Sequence, residues 1–336
     1  MCGRSPRARP VARYTRPVHV PWRSVRAIAA PAPALASALA RALAVLVVAG
    51  CGDDLPPGGA LADAAGGDAD PSGRRSLGEV VVAEHVYPAP WGAGRWTYLE
   101  AAFEVAGYRR HLFHAETARA GDCRVLEPHP GTCRACTGIC VGPETCAPYP
   151  VYASAGELEL AGGGDSVILR RDPLDGRYQT RVRDEPFAPG ATITATAAGD
   201  EVAGFTAAAR GVTPLVAELP ADGKLRLGAE PTVRWTPADP GARVRLTLNG
   251  DGVWHGGRYL AIIECEVDDA AGAITVPAAL MARFPDTTYL ESCSFSKCAF
   301  SHLARLGRGT AIAGDGAVEL RVEHRQHVWA IHDPSP

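Results

Sequence analysis

Residues 242–250 read ARVRLTLNG. Successive side chains of a strand point to opposite faces, so Val244, Leu246 and Leu248 fall on one side and Arg243, Arg245 and Thr247 on the other. That alternation predicts a half-buried antiparallel strand. The same texture extends in both directions as short runs separated by turns: KLRL, TVRW, RYLAIIECEV, AITV, TTYLESC, AVELRVEH and HVWAIH nearby, and EVVVAEHVY, TYLEAAFEVA, ELELAG, SVILRR, RYQTRVR and TITATA further upstream. Only Ala278 to Phe284, following Pro277, suits a short helical turn.

The expected fold class is therefore all-β, with two antiparallel β-sandwich domains at residues 79–212 and 213–336. Trp235 on an early strand of the second suggests an immunoglobulin- or fibronectin-like sandwich. The Cys-Trp-Cys spacing of true immunoglobulin domains is missing, so the expectation concerns architecture only.

With 46% hydrophobic residues the chain can build packed cores. Its net charge of −3 hides an asymmetry. Residues 1–50 hold eight arginines and no acid, leaving 26 basic against 37 acidic residues beyond them. Phosphate binding wants the opposite sign, which argues against a nucleic-acid partner. Arginine supplies 32 of the 34 basic residues, alongside abundant Ala, Gly and Pro, and this usage carries no functional weight.

After Arg41 the apolar run ALAVLVVAG is nine residues long. As a helix it would span about 14 Å, too short for a hydrocarbon core of about 30 Å. A basic leader, a short apolar segment and small residues before a cut site form a secretory signal over residues 1–50. Residues 51–78 are dominated by Gly, Ala, Asp and Pro and are expected to be a flexible tether.

Val48-Ala49-Gly50-Cys51 resembles the lipobox of bacterial lipoproteins. The resemblance implies an acylated Cys51 as mature N-terminus, a membrane partner reached through that lipid, and a cell-envelope location facing away from the cytoplasm, on the outer membrane or the cell surface. Further along, the cysteine run ending in Cys146-Ala147-Pro148-Tyr149-Pro150, with TVRWTPADPGARVRLTLNG and AIIECEVDDAAGAITVPAAL, resembles uncharacterised secreted bacterial lipoproteins with cysteine-rich β domains. That resemblance implies no activity.

Apart from Cys2 in the leader and Cys51, eight cysteines remain: Cys123, Cys133, Cys136, Cys140, Cys146, Cys265, Cys293 and Cys298. In an exported chain structural disulfides are the expected reading. The competing readings are a metal site on Cys133, Cys136, Cys140 and Cys146 or a redox-active CxxC, and no cofactor or metal is expected. Five cysteines precede residue 213 and three follow it, so complete pairing requires an odd number of bridges across that point. Cys293 and Cys298 could close a small loop. Cys265 alternates with Ile263 and Val267 on an apolar face, and either finds an upstream partner or stays a buried thiol.

Gly164-Asp165-Ser166-Val167 resembles the nucleophile block of GDSL-type hydrolases, but β patterns flank it and no late Asp-x-x-His supplies a base, so a hairpin turn is expected. His111 and His114, with Glu116 nearby, would face opposite ways on a strand and lack an HExxH context. His324, His327 and His332 are expected at the surface or on an edge. Asp268-Asp269 with Gly272 suits a turn better than a calcium site. The loop NGDGVWHGGRY is the candidate binding surface, through Asn249, Asp251, Trp254, His255, Arg258 and Tyr259. The function expected from sequence is a non-catalytic binding or structural module with a protein or glycan ligand. The alternatives are a secreted hydrolase or a metal or redox protein.

Overall fold

Strand β1 (Ser76–Val86) lies parallel to the last strand of the chain, more than two hundred residues away in sequence. The computed structural model describes residues 73–87, 94–129, 138–142, 145–162, 164–182, 187–251, 259–292 and 300–334, all within one compact unit. After β1 come β2 (Arg95–Phe103), β3 (His114–Ala120), β4 (Cys123–Pro128), β5 (Ile139–Gly142) and β6 (Thr145–Ala147). Next are β7 (Leu158–Ala161), β8 (Val167–Leu169), β9 (Tyr178–Val182), β10 (Thr192–Ala197), β11 (Phe205–Arg210) and β12 (Lys224–Leu227). The last six are β13 (Thr232–Arg234), β14 (Arg243–Asn249), β15 (Ile262–Asp268), β16 (Ala273–Thr275), β17 (Ser301–Ala313) and β18 (Gly316–His332). A single helical turn, α1 (Ala278–Met281), follows Pro277 as expected.

The protein is all-β. Ten strands form one sheet in the order β3-β4-β15-β14-β17-β18-β1-β2-β9, with β12 also pairing with β18. A second sheet has the order β11-β10-β7-β8, and β13-β16 and β5-β6 are two-stranded. The boundary expected between residues 212 and 213 does not separate two sandwiches, because the large sheet joins strands from both sides of it, with β15-β14-β17-β18 in the middle and β3-β4 and β1-β2-β9 flanking them. Nor is the sheet wholly antiparallel: both β1 and β12 run parallel to β18. Period-two alternation fixes which face a side chain takes, not which strand lies alongside.

One face of the large sheet is apolar across its width. On one half, Val80, Val82, Leu99, Phe103, Leu320 and Val322 pack against Leu158, Leu160, Leu169, Ile193 and Phe205 of the four-stranded sheet. On the other half, Val125, Val244, Leu246, Leu248 and Ile263 pack against Val233, Ile274, Leu280, Met281 and Phe284 around β13, β16 and α1. Each such side chain contributes about 1.5–3 kcal/mol when fully buried. Strand β11 approaches β17 closely because β17 carries glycine there: a Cβ on Gly309 would lie 1.7 Å from the Ala208 carbonyl oxygen, and one on Gly307 would lie 2.3 Å from that of Arg210.

Two covalent and ionic ties fasten the second core. Cys123 and Cys265 sit directly opposite each other on β4 and β15 and are disulfide-bonded, with Cα atoms 4.0 Å apart. Cys265 therefore has an upstream partner and is not a free buried thiol. Arg305 and Asp269 form a fully buried ion pair at 2.9 Å. The Arg305 guanidinium also donates to the Thr213, Pro214 and Thr236 carbonyls, and the Asp269 carboxylate accepts from the Trp235 indole and the Ala238 and Asp239 amides. Asp269 belongs to a 3-10 turn closed by Gly272 at φ +67°, as the sequence suggested for this turn.

Candidate functional site

The opposite face of the large sheet is polar. It takes the alternate residues of each strand: Arg124 on β4, Glu264 and Glu266 on β15, Arg245 and Thr247 on β14, His302 and Arg308 on β17, and Glu79 and His85 on β1. Strand β18 adds Glu319, Arg321, Glu323, Arg325 and His327.

These charges form a nearly continuous chain. Arg308 bridges Glu266 at 2.6 Å and Glu319 at 3.1 Å. Arg110 links Glu319 at 3.0 Å to Glu79 at 3.1 Å, Arg321 joins Glu79 at 2.9 Å to Glu323 at 3.3 Å, and Arg325 closes on Glu323. Arg245 and Arg243 converge on Glu266, while Arg124 and His111 hold Glu264. Burial pushes the Glu79 carboxyl upward, but Arg321, Arg110 and the Tyr108 hydroxyl outweigh it and hold it at about 2. Glu264 and Glu323 are likewise kept well below the usual carboxylate range by their cationic neighbours, against the effect of burial. Burial, then repulsion from Arg110, draws Arg245 down from the ordinary arginine value.

Tyr108, Arg110 and His111 do not belong to the sheet. They lie on the connection between β2 and β3, which is fastened to β1 by amide bonds from Glu104 to the Leu77 carbonyl and from Tyr108 to the Ser76 carbonyl, both 2.8 Å. This strap crosses the polar face and divides it into two open cavities that share Glu79, Tyr108 and Arg110. The larger, about 650 Å³, is lined by Arg124, Arg245, Glu264, Glu266, Arg308 and Glu319 among others. The smaller, about 360 Å³, is lined by Glu100, Arg109, Phe113, Tyr152, Gln179, Asp251 and Tyr259 among others.

Two residues of the candidate binding loop, Asp251 and Tyr259, thus reach the smaller cavity. Tyr259 stacks on Phe113 with ring centroids 4.3 Å apart, and Asp251 accepts from the Leu260 amide at 2.6 Å and approaches His114 at 3.4 Å. Asn249 caps the turn, accepting from the Asp251 amide. Trp254, His255 and Arg258 lie outside the described residues, as do Cys51, Cys133, Cys136, Cys293 and Cys298. Cys140 and Cys146 face each other on β5 and β6 and are both disulfide-bonded.

His111 precedes β3 and His114 begins it, and they engage separate partners, the Glu264 carboxylate and the Leu260 carbonyl. Gly164 to Ser166 form the turn between β7 and β8. The placement expected for His324, His327 and His332 is corrected: all three are buried. β18 is an interior strand, with β17 on one side and β1 and then β12 as further partners, so it is not the edge strand that was expected, and layers packed on the sheet cover its histidines. His324 accepts from the Leu215 amide, and His332 lies 3.1 Å from the Pro285 carbonyl. His327 meets His85 at 2.8 Å within a cluster that includes Tyr87, Phe300 and His302. Burial draws the His85 imidazole down to about 3, and His302 and His327 also fall well below the ordinary histidine value.

Sequence reasoning missed the ionic face. Its signal was present in β18, where Glu319, Arg321, Glu323 and Arg325 place both signs of charge on a single face. Among the described residues no group of three or more His, Cys, Asp or Glu side chains is placed to hold a metal ion, and no helix is long and apolar enough to cross a membrane. No protein-family model matches the chain, and no curated protein matches it.

Proposed function

We propose that the chain is a lipid-anchored, extracytoplasmic binding module of the cell envelope, held at the membrane through an acylated Cys51 and recognising its ligand on the polar face of the large sheet. The binding part of this reading is carried by one observation: the strap from Glu104 to Phe113 turns a sheet face into two concave sites walled by ionic side chains. Fixed, preorganised hydrogen-bonding groups in a concavity are what small-ligand recognition uses. The anchor rests on the lipobox-like Val48 to Cys51 and the Gly/Asp/Pro-rich tether behind it. A secreted location also accords with the Cys123–Cys265 bridge, since disulfides persist in oxidising compartments.

The anchor is tested by metabolic acyl labelling with and without globomycin, comparing the native chain with Cys51→Ala. Label on the native chain, lost in Cys51→Ala and accompanied by precursor accumulation under globomycin, is the expected result. Processing that is the same in both, with no label, would refute the anchor.

A further inference from the structure

We propose that the smaller cavity is a binding site for a short neutral carbohydrate. The proposal rests on the binding-module reading and gives it a ligand class. Three features converge. The first is aromatic: Tyr259, about half exposed, stacks on Phe113 in the lining, which also includes Tyr152, with the Arg177 guanidinium 4.7 Å from the centre of its ring. Exposed aromatic faces receive the C–H faces of sugar rings.

The second is a set of uncommitted polar groups. Glu100 and Gln179 are directly opposite each other on β2 and β9, both exposed, and neither side chain makes a hydrogen bond or ion pair with any described residue. In the larger cavity the glutamates are instead saturated by arginine. A carboxylate beside a carboxamide offers acceptors and donors together, and a sugar hydroxyl uses both. Engaging them breaks no existing pair, so the ligand does not have to compete with the protein's own ion bridges.

The third is charge. Arg109, Arg110 and Arg177 face Glu79, Glu100 and Asp251, so the fixed cations and anions balance. An anion would meet Glu100 and Asp251, and a cation would meet Arg109 and Arg177. The volume, about 360 Å³, is at the lower end of the range for small-molecule sites and has room for a mono- or disaccharide.

The test is saturation-transfer NMR and calorimetry on the full chain in detergent micelles. The probes are cellobiose, maltose and N,N′-diacetylchitobiose, with sodium glucuronate and choline chloride as charged counter-probes. Binding of at least one neutral disaccharide is expected. Tyr259→Ala and Glu100→Ala, both at exposed positions, should each weaken it about tenfold, as removal of a stacking face or a charge-assisted hydrogen bond does. Val216→Ala, at an exposed position on the segment whose Leu215 packs on the opposite, apolar face of the large sheet, should leave it unchanged. Equal melting temperatures would show that the variants are folded. Binding of charged probes alone would overturn the carbohydrate assignment while leaving a binding module. Sugar binding indifferent to both substitutions, or no binding by any probe, would also overturn it, and the acyl label decides the anchor independently.

Discussion

Arg305→Met removes the cation of the buried pair and leaves its surroundings intact. Both side chains are sealed from water, at 0% and 1% exposure. In the variant the Asp269 carboxylate keeps three N–H donors but no counter-charge, and three backbone carbonyls, of Thr213, Pro214 and Thr236, lose their shared donor. Breaking one side of a buried pair costs about 3–5 kcal/mol. The orphaned carbonyls place this case at the upper end, since an unsatisfied buried acceptor costs about 1–3 kcal/mol by itself. Entry of a water molecule would recover part of that, so the terms do not add. Against a typical total of about 5–15 kcal/mol, the loss should move the urea midpoint far down with an unchanged m-value. Asp269→Asn is the companion. It keeps an acceptor for the Trp235 indole and removes the charge, and the double variant should lose less than the two singles summed. A loss below about 1 kcal/mol in Arg305→Met would refute the view that this pair fastens the segment from Thr213 to Asp239 to the sheet.

The other expectations are more local. Gly309→Ala puts a Cβ against the Ala208 carbonyl oxygen and should cost about 2–3 kcal/mol by overpacking, whereas Gly228→Ala, with nothing within 4 Å, should be near neutral; equal melting temperatures would contradict the close crossing of β11 and β17. Replacing Cys123 and Cys265 together by alanine opens a loop of 142 residues, which in the chain-entropy account is worth at most about 5 kcal/mol, and an unchanged urea midpoint would show that the bridge does not constrain the unfolded chain. Acid should destabilise the fold in two windows. As pH falls below 6.5 the unfolded chain protonates His85, His302 and His327 while the folded one resists, down to about pH 3 for His85, at up to about 1.4 kcal/mol per pH unit for each histidine. Below about 4.5 the unfolded chain also takes protons that Glu79 refuses until about 2, so its stabilising contribution is lost across that interval. A urea midpoint that is flat from pH 7 to 5 would refute the burial of the imidazoles.

The β class was legible because alternation is local. Arg243 to Leu248 declare a strand with one wet and one dry side in any context, and Cys265 could be placed on the dry side from Ile263 and Val267 alone. The odd cysteine count on each side of residue 213 also pointed to a partner upstream, and Cys123 is that partner. Strand neighbours were not legible. The pairing of Val81 with Arg321 spans most of the chain, and nothing in either strand encodes the other's position. The polar half of the alternation was misread for a related reason. Arg245, Glu264 and Arg321 have the pattern of solvated side chains, yet they are buried in an ion-pair network that Arg110 and His111, on a strap from elsewhere in the sequence, help to complete. Of the candidate loop, Asp251 and Tyr259 reach a cavity, but the residues that complete it, Glu100 and Gln179, come from strands that carry no motif.

The ionic face is an expensive way to finish a sheet. Desolvating an arginine or glutamate costs several kcal/mol, and apolar side chains of the same volume would often give equal or greater stability. What the pairs supply is geometry. A guanidinium held in its plane by two carboxylates, as Arg308 is by Glu266 and Glu319, cannot reorient without losing both, so each charge constrains the next from Glu266 to Arg325. That rigidity makes the larger cavity a poor place to gain binding energy, since a ligand there must displace bridges already formed. Across the strap the situation reverses. Glu100 and Gln179 sit at the end of the same polar face with no hydrogen-bond or ion-pair partner among the described residues, supported by a wall that the Glu79–Arg110 bridge holds still. Free hydrogen-bonding capacity beside a fixed scaffold is where association costs least entropy, and this is why the smaller cavity carries the proposed site.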